Sequence, residues 1–99
     1  MVSGTAPISP GGEVDPDPYV QARRCLEIIQ GALVEAGARI DQVVRTRIFI
    51  TDAEFAGEVG RAHAEVMGGA PPTATMVVVK ALLDERWKVE IEAEAVTSI

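Results

Sequence analysis

The residues best suited to chemistry are the glutamates of the closing segment, Val89-Glu90-Ile91-Glu92-Ala93-Glu94. Carboxylates at every second position share one face of an extended strand. Partly withdrawn from water, such a group can act as a general acid or base; left in water, the same row is a solvated face. The two readings separate on whether another molecule covers that face. A covered carboxylate needs a cation or hydrogen-bond donor, or its pKa rises. Glu90 and Glu92 are therefore the acid–base candidates. The other reactive types are sparse. His63 is the sole histidine; it stands mid-helix with no cysteine nearby and reads as a solvated position, not as a zinc ligand or triad member. Cys25, beside Leu26, reads as a packed thiol. Ser3-Gly4 and Gly11-Gly12 are too sparse for a phosphate loop, and no Lys-Ser or Lys-Thr follows them. Arg45 and Arg47 can pair across strands with the glutamates, a structural role. No metal site and no cofactor motif is read.

These candidates need elements to position them. Met1 to Val14, rich in Gly, Pro and Ser, reads as the stub of a strand running into turns. Asp17-Pro18 starts a helix, because Asp caps free amides and Pro suits the first helical position. Tyr19, Ala22, Leu26, Ile29, Leu33 and Ala36 then line one face at spacings of three and four. Gly37 fits a left-handed stop. Val43 to Ile50 is a strand by composition and alternation, with Val44, Thr46, Ile48 and Ile50 on one face and Arg45, Arg47 and Phe49 on the other. Thr51-Asp52-Ala53-Glu54 matches a capping box. It opens a second helix to about Met67, with Phe55, Val59, Ala62 and Val66 on one stripe. Gly68-Gly69 ends that helix and Pro71-Pro72 prevents its resumption. Thr75 to Leu82, apolar at both parities, predicts a strand buried on two sides, and Val89 to Val96 predicts an alternating one, with Asp84-Glu85-Arg86-Trp87 an exposed turn between them.

The order strand, helix, strand, helix, strand, strand predicts an α/β fold: a small sheet with two helices on one face. The opposite face then needs a cover, and other copies of the chain would supply it. This sheet-to-sheet oligomer would place at least one glutamate at a subunit boundary.

Composition narrows the function classes. The 99 residues amount to one domain, 1–99. Nine Lys and Arg against fifteen Asp and Glu give a formal net charge of -6, with no basic cluster. That disfavours nucleic acid and acidic membrane surfaces as partners, since both need clustered cations. No apolar run approaches the roughly 20 residues of a membrane span, and the start lacks signal-peptide character. With the single cysteine, this reads as a cytosolic, cytoplasmic protein. Hydrophobic residues reach 47%, and so small a domain hides only about two-thirds of its unfolded surface. The excess again points to self-association.

Several phrases carry a resemblance: Val2-Ser3-Gly4 with Pro7 and Gly12-Glu13-Val14, Gln21-Ala22-Arg23, Val43-Val44-Arg45-Thr46, Phe49-Ile50-Thr51-Asp52, Pro71-Pro72 and, most strongly, Val89-Glu90-Ile91-Glu92-Ala93. Together with the element order they resemble the RidA family, also called YjgF or endoribonuclease L-PSP, over essentially the whole chain. The resemblance implies a chorismate-mutase-like α/β fold and a homotrimer with small-molecule clefts between neighbouring subunits. It also implies hydrolysis of reactive 2-imino or enamino acids to 2-oxo acids and ammonia, with no metal and no cofactor. On this resemblance Glu90 falls where the family's cleft glutamate positions the attacking water, and Ser3-Gly4 matches the cleft's Ser-Gly pair. Ala74 falls where deaminase members carry the arginine that grips the substrate carboxylate. Met76 replaces a residue that is often Cys, and Gly60 stands where a cleft Asn is common. Backbone near Ala74 and Thr75 would hold the ligand. The family's leading strand, with its Tyr-containing segment, has no counterpart before Met1. The domain is therefore expected to be N-terminally short, with an open edge on the Ser3-Gly4 strand.

The change at Ala74 decides most. An Arg–carboxylate contact is charge-assisted and geometrically selective, and truncating one partner of a buried charge pair costs about 2–5 kcal/mol, roughly 30- to several-thousand-fold. The expected activity is therefore hydrolysis or tautomerisation of a neutral or cationic imine, enamine or related carbonyl compound, with Glu90 as acid–base group. Arg45 or Arg47 is the candidate to restore a cation. The alternative is a non-catalytic trimer that binds a metabolite and tunes a partner. The ribonuclease implied by the older family name is opposed by the net charge.

Overall fold

The computed structural model describes residues 2–8, 10–68 and 72–96. The elements run β1 (Val2–Thr5), α1 (Pro18–Glu35), β2 (Val43–Ile50), α2 (Ala56–Met67), β3 (Thr73–Val78) and β4 (Val89–Ala95), with short 3-10 turns before β2 and α2. The local chemistry of α1 is as its sequence predicts. The Asp17 carboxylate accepts from the Tyr19 amide at 2.8 Å. At the other end Gly37 takes a φ of 79°, where any other residue would pay for its Cβ. From there the Ala38 amide reaches back to the Leu33 carbonyl at 2.8 Å.

The sheet has the order β1-β4-β2-β3. β4 lies antiparallel to both β1 and β2, while β3 runs parallel to β2, as a strand returned by the α2 crossover must. Register fixes two faces. Thr46, Ile48 and Ile50 stand opposite Ala93, Ile91 and Val89 on β4, and opposite Ala74, Met76 and Val78 on β3. This face carries both helices. Leu26 and Ile29 of α1, Val59 and Ala62 of α2, and the inward residues of β2 and β4 form one buried cluster, with Met76 packed at its margin. The other face carries Arg45, Arg47 and Phe49 beside Glu94, Glu92 and Glu90, and Thr73, Thr75 and Val77 on β3. The predicted α/β class, and two helices on one side of a small mixed sheet, are thus observed.

Four local expectations are corrected. At the start of β2 the register shifts between Val43 and Arg45, so Val43 is buried and Val44 is 45% exposed; the regular alternation put Val44 inside. The 3-10 turn Ala53–Phe55 that leads into α2 is capped by Asp52, which accepts from the Glu54 amide at 2.8 Å, and not by Thr51; α2 itself starts from Phe55 with no side-chain cap. The third strand spans Thr73–Val78 rather than 75–82, because its partner β2 stops at Ile50, whose carbonyl takes a last bond from the Val79 amide. It is also no twice-buried strand: in the single chain it is an edge strand, with Val77 and Val78 41% and 56% exposed. Finally, the turn before β4 is exposed at Glu85 and Arg86, yet Trp87 is half-buried, and its indole Nε1 is buried with no partner among the described residues. Gly68 caps α2; Gly69 and Pro71 of the predicted helix stop lie outside the described residues.

Candidate functional site

The open face of the sheet holds the glutamate row where alternation put it. Glu90, Glu92 and Glu94 are each half-buried, and each stands beside a different neighbour on β2. Glu92 is neutralised: its Oε1 lies 3.1 Å from the Arg47 guanidinium, the cross-strand pair expected from the sequence. Arg45, Arg47, Glu92 and Glu94 line a shallow hollow. Glu90 instead stands opposite the apolar Phe49 and makes no ion pair or hydrogen bond among the described residues. Of the three carboxylates it is the one that stands opposite an apolar side chain rather than an arginine. Its charge also reaches Cys25 across the strand. Burial, and secondarily Glu90, push the Cys25 thiol up to about 12. That thiol donates to the Thr5 carbonyl at 3.2 Å and is an inert packed group, as expected.

Of the other residues predicted for the site, only the Ser3-Gly4 pair lies on a strand adjoining that of Glu90. Ser3 and Gly4 lie in β1, next to β4. Ala74, Thr75 and Met76 lie in β3, two strands from β4, a separation of about 10 Å at ordinary strand spacing. Thr75 shares the open face with Glu90, whereas Ala74 and Met76 are on the helix face. Within one chain Glu90 and Ala74 therefore do not face a common space. The same register decides the fate of the candidate replacement cations. Arg45 and Arg47 project from the face opposite Ala74, and Arg47 is held by Glu92, so neither fills the place at Ala74 within its own chain.

Two residues depart from their sequence reading. His63 is not a solvated helix position. It is half-buried, and its Nε2 lies 2.8 Å from the hydroxyl of Thr46, which is fully buried on the helix face. Burial lowers the imidazole pKa below its usual 6.5. A polar Thr in an otherwise apolar inward row was the available signal, since a buried hydroxyl requires a partner. Gln21 enters the sequence only as part of the phrase Gln21-Ala22-Arg23, yet the residue is 1% exposed. Its amide donates to the carbonyls of Asp15 at 2.8 Å and Arg86 at 2.9 Å, while its oxygen accepts from the Lys88 amide at 2.7 Å. Among the described residues no three His, Cys, Asp or Glu gather as a metal site, and no helix is long and apolar enough to cross a membrane.

Comparison with known proteins gives one consistent answer. The family model described as Endoribonuclease L-PSP matches residues 1–97. The chain is 35% identical over 79 residues to SCO2049 of Streptomyces coelicolor, covering 80% of this chain and 59% of that one, so it spans about three-fifths of that relative's length. It is 31% identical over 99 residues to the 2-iminobutanoate/2-iminopropanoate deaminase of Escherichia coli, covering 97% of this chain and 77% of the other. Among solved structures, Rv2704 of Mycobacterium tuberculosis, from the YjgF/YER057c/UK114 family, superposes with a TM-score of 0.87 at 41% identity, over 96% of this chain and 75% of that one.

Proposed function

Because this chain belongs to the endoribonuclease L-PSP family, also known as the RidA or YjgF family, we propose that it works as an assembly of copies, a trimer, with small-molecule clefts at the boundaries. There Glu90 hydrolyses or tautomerises an imine, enamine or related carbonyl compound that bears no carboxylate at the Ala74 end. The observation that carries the reading is the split geometry. Glu90 waits on the open face without a cation, the Ala74 position lies across the sheet on the other face, and the open face and the β3 edge expose Val77 and Val78. Only a neighbouring copy can join these halves while covering the apolar edge strand.

In the hydrolysis, the Glu90 carboxylate takes a proton from water as the water oxygen adds to the imine carbon. The C=N electron pair moves to nitrogen, which takes that proton back from Glu90. The amine of the carbinolamine then takes a further proton from solvent, its C–N bond breaks with the electron pair leaving on ammonia, and the carbon–oxygen double bond of the product forms as the hydroxyl proton passes to Glu90 or solvent. Water and one carboxylate suffice for this sequence. Without a guanidinium at position 74, a 2-imino acid loses the charge-assisted contact that orients its carboxylate.

The deciding assay follows hydrolysis of 2-aminoacrylate generated in situ, with assembly checked by sedimentation. Ala74→Arg is expected to raise kcat/KM by roughly 30- to several-thousand-fold, the counterpart of about 2–5 kcal/mol for a buried charge pair. Glu90→Gln in that background should remove the gain, about 100-fold or more for a lost acid–base group. No gain from the arginine, together with turnover indifferent to Glu90, overturns the proposal. A second reading, a non-catalytic metabolite-binding trimer, is favoured by the same missing guanidinium. Thermal stabilisation by members of a metabolite panel with no product formed would select it.

A further inference from the structure

We propose that His63 sets the ligand class of the cleft, so that the ligand end seated beside Gly60 and Ala74 is an uncharged amide, carbonyl or hydroxyl group. The inference rests on the reading that places Ala74 in the cleft. It starts from one row of the helix face. Thr46 on β2 is flanked in register by Ala93 on β4 and Ala74 on β3. Ala93 is 2% exposed and Ala74 is exposed, so the row is sealed at one end and open at the β3 edge. His63 descends onto this row from α2, its Nε2 held by the Thr46 hydroxyl at 2.8 Å. Neighbouring strands lie about 4.8 Å apart, so a group seated at Ala74 is one strand from the Thr46 hydroxyl that holds the ring. Gly60 lies one turn earlier on the same side of α2, and a Cβ built there meets no atom within 4 Å. Two positions that carry almost no side chain therefore leave room beside an anchored imidazole.

The chemistry of that imidazole selects the ligand. Its Nδ1 has no partner among the described residues, and with Nε2 held by Thr46 it is the nitrogen left to bond a ligand. Burial holds the ring below the usual histidine range, so near neutral pH it offers one neutral hydrogen bond, as donor or acceptor according to tautomer. A carboxylate brought there would lose hydration, and Arg45 and Arg47 of the same chain, on the other face, would not reach it. An amide or carbonyl needs only the single bond.

Pyruvamide and pyruvate, unreactive stand-ins of one shape and different charge, test this by calorimetry and by 15N NMR of the imidazole. Wild-type protein is expected to bind pyruvamide about tenfold or more tightly than pyruvate, with the His63 ring nitrogens shifting as pyruvamide is added. His63→Phe, which fills the volume without a hydrogen bond, should level the preference, and His63→Gln should keep most of it. A ring-nitrogen shift is a readout that a purely structural histidine would not give. Equal affinity for the two probes, binding of neither, or a preference surviving in folded His63→Phe overturns the inference. Turnover indifferent to Glu90 sinks the acid–base reading instead, leaving the probe preference to be judged alone.

Discussion

The two faces of the sheet are made by the same strands and differ in what satisfies them. On the helix face Ile48, Ile50, Val89 and Ile91 are almost wholly buried within one chain. The one polar residue among them, Thr46, has found a histidine. On the open face charge meets charge once, at Arg47 and Glu92, while Glu90 faces a phenyl ring and Arg45 pairs with nothing among the described residues. A face finished inside one chain reports on stability. A face left with a lone carboxylate, an unpaired guanidinium and an apolar edge strand reports on what the chain meets outside itself.

Substitutions along β2 sharpen that contrast. Ile48→Ala, a large-to-small change in the closed core, should cost about 2–5 kcal/mol, read as a lower denaturant midpoint with an unchanged slope. Thr46→Val keeps the shape but strips the partner from a half-buried imidazole, and should cost about 1–2 kcal/mol by the same measurement. His63 also gives the pH dependence. Its folded pKa lies below 6.5, so its contribution is fully present above pH 6.5 and is lost as pH falls through the folded value. Stability should therefore drop on acidification below about pH 6.5, and His63→Gln should flatten that part of the curve. Arg47→Gln on the open face removes a pair whose side chains are 45% and 24% exposed, and should cost under about 1 kcal/mol, less at high salt. If Arg47→Gln rivalled Ile48→Ala in the denaturation midpoint, the distinction between the faces would collapse.

Much of this architecture was legible because periodicity is a local signal. The glutamate row, the span of β2, the stop at Gly37 and the thiol of Cys25 all follow from neighbours in sequence. What escaped depends on distant partners. The limits of β3 are set by where β2 ends, and the burial of Val43 in place of Val44 by a register shift against β4. His63 looked solvated because its partner, Thr46, lies 17 residues away on another element. The candidate site was the least legible part. Types and resemblance picked out Glu90 and Ala74, but only the register shows them to be on opposite faces.

The Gln21 amide has a consequence for where Glu90 comes to rest. By gripping the backbone on both sides of Trp87, it indexes the residues that lead into β4 to the opening turn of α1, two positions before the carboxylate. Neither a Glu nor a Leu could give and accept as that amide does, so a change at position 21 would let the strand creep along its neighbours and shift the Glu90 carboxylate out of register.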